Sequence, residues 1–302
     1  MLISPNGGGK LKRWFKGVYN AIKVSKRGDV IVCWFDFQAI MLYWLCRLTL
    51  RKREIFAINI MLKQKTTGKN KIVAELYKAA FKSKHFHASV TSTQYGEWLN
   101  YVLGTAADFS LIRDVVISKY YKDVPLSKNA VIDKGTVLCG GGNSRDWELM
   151  IRLSQSMPEV NFRFVMRGFD YVKYKDEFTD NVVIYHDIKH EEFSKILKKC
   201  EVLCLPLTTD APSGLMVLFE SAYHHKPIFM TKTVTSSTYV NEERGYPMSK
   251  DFQEWKRALE YGFAHRDEMQ AKADKMFDFI TKECSEDNFV KQLDAMIGKY
   301  VK

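Results

Sequence analysis

No two of the six cysteines stand at Cys-x-x-Cys spacing, and the set (Cys33, Cys46, Cys139, Cys200, Cys204, Cys284) is scattered along 302 residues. That spread suits a reducing cytoplasm and argues against a disulfide frame. Cys200 and Cys204 flank a predicted strand and read as small core residues. There is no uninterrupted apolar run of the roughly 20 residues that a membrane span needs. The richest window, Val30 to Leu50, carries Asp36 and Arg47, and reads instead as a strand, Val30–Trp34, then a buried helix, Phe37–Leu50. Pro5-Asn-Gly-Gly-Gly9 interrupts the first apolar residues, which argues against a secretory signal. No internal repeat, low-complexity tract or Asp-x-Asp pair is present, and no two acids form a convincing glycosidase pair. Gly7-Gly-Gly-Lys10 is followed by Leu11 where a Walker loop needs Ser or Thr.

Acids are also too few to balance the bases. Against 46 Lys and Arg stand 35 Asp and Glu, which leaves a net charge of +11. Such an excess implies an acidic partner: anionic lipid, nucleic acid or a phosphorylated ligand. The remaining composition is that of a globular protein, and the length suits two domains of roughly 130–170 residues.

What the chain does have is concentrated in Ala211-Pro-Ser-Gly-Leu-Met-Val-Leu-Phe-Glu-Ser-Ala-Tyr-His-His-Lys-Pro-Ile-Phe-Met-Thr231. An apolar strand, Val202–Pro206, precedes it, and Ile228–Met230 forms a second strand at its end. Between them the pattern predicts a helix over Gly214–His224, with Ser213 as N-cap and Gly214 allowing close approach to the backbone. The free N–H groups of such a first turn attract an anion. Leu215, Phe219 and Ala222 fall on one buried face. Glu220 lies six residues into the helix, about 9 Å from its start, roughly the span from a diphosphate to the ribose of one nucleotide. A carboxylate accepts two hydrogen bonds at once, as vicinal hydroxyls require. The plainer alternative is a solvated Glu220 on a half-exposed helix.

A second segment, Val137-Leu-Cys-Gly-Gly-Gly-Asn-Ser-Arg-Asp146, reads as a strand running into a glycine-rich turn. A helix from Trp147 to Ser156 and a strand over Asn161–Gly168 follow. Gly141 and Gly142 permit close backbone approach, and Arg145 offers a planar fork for a diphosphate. The plainer alternative is an ordinary strand-to-helix turn, with Arg145 and Asp146 as polar residues at the helix start.

Together these segments resemble the donor half of the retaining GT-B glycosyltransferases of family 4 (glycosyl transferases group 1). Glu220 aligns with the second Glu of the family's Glu, seven residues, Glu segment, and Lys226-Pro227-Ile228 matches its Lys-Pro-Val. Pro212 stands where the first Glu belongs, with Asp210 two residues upstream. Gly140–Asp146 resembles the loop opening the donor domain. The resemblance spans about Thr136–Val240. It implies an α/β fold of two Rossmann-like domains facing a central cleft. The donor would be a nucleotide diphosphate sugar, bound by Gly141, Gly142, Arg145, Ser213, Gly214, Leu215 and Glu220, with the ribose on Glu220. No other cofactor and no metal ion is expected.

The amino-terminal half alternates strand and helix as a parallel sheet requires: strand Met1–Ser4, turn Asn6–Gly9, helix Leu11–Val24, strand Ile55–Leu62, helix Lys71–Lys84, strand Ala88–Ser92 and helix Gln94–Leu103. The expected domains are 1–127 on the acceptor side, 128–285 on the donor side, and a helix over 286–302 crossing back to the first. The linker falls at Asp123–Asn129. Asp36, just past a strand end, is the candidate acceptor-side base or else a helix N-cap. Asp187 and Asp210 are further strand-end candidates, and His85 and His87 read as structural. The hydroxyl-rich loop Thr231–Thr238 serves a phosphate or caps a turn.

Over Lys10–Lys26 an apolar stripe of Leu11, Trp14, Phe15, Val18, Tyr19 and Ile22 recurs at helical spacing, and Lys10, Lys12, Arg13, Lys16, Lys23, Lys26 and Arg27 occupy much of the remainder, as in a helix lying on an anionic membrane surface; solvated lysines around a packed stripe are the alternative. The function expected is retaining transfer of a hexose to a glycan acceptor, lipid-linked, in cell-surface polysaccharide synthesis. The place expected is the cytoplasm, peripheral at the inner membrane face, with no nucleic-acid partner. Two other readings stand beside it: a non-catalytic adaptor of the same fold that binds membrane or nucleic acid, and a Rossmann oxidoreductase. The second lacks a Gly-x-Gly-x-x-Gly turn with an acid about 20 residues on.

Overall fold

The computed structural model describes residues 10–62, 69–117 and 132–301. The expected strand Met1–Ser4, the turn Asn6–Gly9 and the linker Asp123–Asn129 lie outside them. The chain divides into two compact units, Met1–Asp114 with Val290–Lys302, and Val115–Phe289.

The first unit holds a parallel sheet in the order β1-β2-β3-β4 (Val30–Cys33, Glu54–Ala57, Phe86–Val90, Ser110–Leu111). Among the described residues α1 Lys10–Val24 precedes β1, and α2 Asp36–Leu48, α3 Lys69–Phe81 and α4 Thr93–Leu103 join the strands. Ile55, Phe56 and Ala57 of β2 and every residue of β3 are buried, as inner strands of a parallel sheet are. β2 stops well short of Leu62, because Asn59 takes a left-handed conformation at φ +49°. Ser92 caps α4 by accepting from the Tyr95 N–H, and Gly104 ends it at φ +59°. α1 lies on α2, with Val18 and Ile22 buried and the Trp14 ring 5.2 Å from Phe37. Arg51 and Arg53 donate to the Ile22 and Ser25 carbonyls at the end of α1.

The second unit is a six-stranded parallel sheet in the order β10-β9-β8-β5-β6-β7. Its strands are β5 Asp133–Gly140, β6 Asn161–Met166, β7 Val182–His186, β8 Cys200–Leu205, β9 Ile228–Thr231 and β10 Tyr246–Met248. Its helices are α5 Trp147–Ser156, α6 Gly168–Tyr174, α7 His190–Lys199, α8 Leu215–Tyr223, α9 Phe252–Ala264 and α10 Arg266–Glu283. Alternate residues of the central strands feed two cores. Leu138, Leu203 and Leu205 pack with Leu218, Phe219 and Met276, while Val137, Cys139, Val202 and Cys204 pack with Phe162 and Trp255. That alternation buries Cys139 and Cys204 in one core, and all six cysteines are free. The two-residue β4, the short helix α6 and the edge strand β10 carry too little periodicity to be read from sequence.

A last helix, α11 Glu286–Tyr300, begins in the second unit, and its residues from Val290 onward belong to the first. No described helix is long and apolar enough to cross a membrane.

Candidate functional site

The site is assembled in the second unit at the carboxyl ends of its strands. β5 delivers Gly140 into a loop that turns at Gly141 (φ +114°) and Ser144 (φ +55°). This loop is tied to both neighbouring strands. The Gly141 N–H donates to Val165 of β6 at 3.1 Å, the Asp146 N–H to Pro206 past β8 at 3.1 Å, and the Thr208 N–H to Ser144 at 3.0 Å. Asp146 caps α5, its carboxylate accepting from the Leu149 N–H.

Across from this loop α8 begins. Gly214, at φ +78°, holds the cap position. Ser213 does not cap: its hydroxyl donates to the Asn143 carbonyl at 3.1 Å, pinning the helix start to the glycine loop. The expected cap is therefore replaced by a loop-to-loop bridge, since a left-handed Gly214 turns Ser213 away from the first-turn amides. Leu215 is buried in the core, and Phe219 and Ala222 with it.

Arg145 also departs from expectation. Its guanidinium donates to the Gly140 carbonyl (2.8 Å) and the Asn143 carbonyl (3.0 Å) instead of facing outward. A Cβ at Gly141 would sit 2.5 Å from it and one at Gly214 3.3 Å, so both glycines leave room for the arginine. Burial pulls the guanidinium below the ordinary arginine value, with the Cys139 thiol acting in the opposite sense. Arg145 thus places a cation behind the loop and beside the start of α8, where it strengthens the positive potential of the helix N-terminus.

In front of these elements lies a cavity of about 380 Å³, lined by Gly141 and Gly142 from the loop, Arg167, Asp187 and His190 opposite, and Met216 and Glu220 from α8. Gly141, Gly142 and Glu220 are brought together there; Arg145, Ser213, Gly214 and Leu215 do not line the cavity. Glu220 is only 3 % exposed, so it is no solvated surface acid. Its Oε1 accepts from the Ser194 hydroxyl and its Oε2 lies 2.9 Å from His190 Nε2. These two partners compensate a carboxylate that burial would otherwise penalise. Both were missed in the sequence, although their i, i+4 spacing on α7 puts them on one face.

The other candidates divide. Asp187 lines the cavity at φ +54°, and its carboxylate accepts from the Gly168 N–H at 3.1 Å. Asp210 does not line it; its carbonyl accepts from Thr235. The hydroxyls of Thr231, Thr233, Thr235, Ser236 and Ser237 are bonded to protein groups, which favours the capping role for that loop. His186 and His190 stand four apart, but one closes β7 and the other opens α7, so they share no helix face. Among the described residues no group of three or more metal-ligating side chains is placed to hold an ion.

Asp36 lies in the first unit. It is the first residue of α2, with Phe35 at the cap position. Its carboxylate accepts from the N–H groups of Phe37 (2.7 Å) and Met61 (2.9 Å) and from the Tyr77 hydroxyl. Burial raises it above the usual carboxylate range, and these three bonds lower it. Glu54 binds His85 Nδ1 (2.5 Å) and His87 Nε2 (2.8 Å), a structural use of both histidines.

A strand-end cavity with helix-terminal amides, a buried cation behind it and a carboxylate about 9 Å along the helix suits an anionic ligand with hydroxyls at its far end. No family model matches the chain, and no curated protein matches it. Solved structures do. Anabaena HepE in complex with UDP and glucose is 14% identical with a TM-score of 0.71, over 96% of this chain and 83% of that one. Sucrose-phosphate synthase from Thermosynechococcus elongatus is 13% identical with a TM-score of 0.77, over 99% and 82%. A glycosyltransferase from Rickettsia africae is 9% identical with a TM-score of 0.69, over 99% and 84%. At such identities the likeness is one of architecture, and with its two parallel sheets the chain has the GT-B fold.

Proposed function

We propose that this protein is a glycosyltransferase that moves a hexose from a nucleotide diphosphate sugar to a glycan acceptor. The observation that carries the reading is the buried Glu220 carboxylate, facing the cavity six residues beyond the left-handed Gly214. The diphosphate would lie at the start of α8, against its first-turn amides and the glycine loop, and the ribose would reach Glu220. Arg145 contributes its charge from behind. Fixed donors of this kind act on the charge that grows on the leaving diphosphate, usually the largest catalytic effect available. HepE, similar in fold, has been captured with UDP and with UDP-glucose. The resemblance of the donor segment to retaining enzymes supports retention of the anomeric configuration. No metal ion enters this reading, because the phosphate charge meets a helix terminus and an arginine.

The acceptor we propose is lipid-linked, with the protein peripheral at the inner face of a membrane. α1 supports this. It contains no acidic residue, and Phe15 and Tyr19 stand 59% and 62% exposed among the exposed Lys12, Lys16 and Lys23. Aromatics beside lysines suit an anionic lipid surface.

The decisive test is a thermal-shift screen of UDP, GDP, ADP, NAD and CMP on the wild type and Glu220→Ala. A rise with UDP or GDP, lost in a folded Glu220→Ala, is the expected result. No shift with any nucleoside diphosphate, joined to salt-sensitive vesicle binding, would overturn transfer in favour of a non-catalytic adaptor.

A further inference from the structure

We propose that His190 is a latch on Glu220: it occupies the carboxylate face that a ribose would take, and a bound nucleotide must displace it. This rests on the nucleotide reading above. Glu220 shows its small exposed surface to the cavity, and His190 lines the same cavity. Since a carboxylate only accepts, the 2.9 Å contact requires the proton on Nε2. Any hydroxyl approaching Oε2 from the cavity therefore meets the imidazole first.

The two partners of Glu220 are not equivalent. Ser194 is buried, and its bond to Oε1 fixes the carboxylate from within α7. The His190 side chain is 59% exposed at the first position of the same helix, and its ring lies 6.5 Å from the Phe193 ring between centroids. One partner positions the acid; the other is free to turn away.

The test is calorimetric titration of UDP and GDP, and of their 2′,3′-dideoxy analogues, into wild type, His190→Ala, Ser194→Ala and Glu220→Ala. His190→Ala is expected to bind the intact nucleotide roughly threefold more tightly than wild type, the scale of one partly exposed hydrogen bond that no longer has to be broken. The gap is absent with the dideoxy analogue. Ser194→Ala is expected to weaken binding, because the carboxylate loses the bond that positions it. Equal or weaker binding by His190→Ala, with wild type binding and Glu220→Ala not, overturns the latch alone. If wild type binds neither nucleotide, or Glu220→Ala binds as well as wild type, the nucleotide reading fails and the latch with it.

Discussion

His224 ends α8 with its ring buried and its Nε2 without a hydrogen-bond partner. Burial, aided by the charges of Lys198, Lys226 and His225, pulls it down from 6.5 to about 4. The unfolded chain takes up this proton near pH 6.5 and the folded chain only near 4, so the unfolded state binds more protons between the two. Stability should fall as pH drops through that window, by on the order of 2–3 kcal/mol. Urea denaturation at pH 7 and pH 4.5 checks it: His224→Leu should show a markedly smaller loss than wild type. Among single residues, Glu220 was legible because one acid in an apolar helix stands out from its surroundings. Its partners His190 and Ser194 were not, since they come from a helix 26 to 30 positions away and only packing joins the two. Arg145 was found, but its direction was not: the loop carbonyls of Gly140 and Asn143 claimed its donors.

The elements were read best where periodicity and end signals agree. α5 follows the predicted Trp147–Ser156, and α4 stops at Leu103, where Gly104 supplies the left-handed residue. β2 was overextended because Ile58 and Ile60 continue the apolar run; both are buried, yet their backbone leaves the sheet at Asn59. α1 shows what an element alone can support. Its buried side, Val18 and Ile22, holds it on the first unit, so Phe15 and Tyr19 are not needed for that packing. Phe15→Ser combined with Tyr19→Ser should leave stability within about 0.5 kcal/mol. The same variant should cut cosedimentation with anionic vesicles at least roughly tenfold, since burying even one large apolar side chain is worth about 1.5–3 kcal/mol. Unchanged sedimentation would place any lipid contact elsewhere on the protein.

At the scale of the whole molecule, the first unit is completed by the end of the chain. Tyr300 stacks on His87 at 3.9 Å, its hydroxyl and Lys299 bond Asp108, the Gln292 side chain accepts from the Arg113 N–H, and Met296 is buried. A chain ending at Phe289 should lose at least about 2 kcal/mol of stability in that unit, the burial of Met296 alone being worth roughly that. Faster amide exchange in β3, with the second unit unaffected, is the measurement that checks it. The sequence by itself determined the alternation of strand and helix, the parallel sheets and the place of the strand–loop–helix segment around Glu220, because hydrophobic period, glycine turns and helix ends are local properties. Only the tertiary structure decided that Glu220 is buried and doubly held, that Arg145 faces inward, that Ser213 bridges two loops, and that Asp36 is committed to three donors. Each of those outcomes depends on groups distant in sequence competing for the same hydrogen bonds, and that competition is settled only when the sheet brings them within reach.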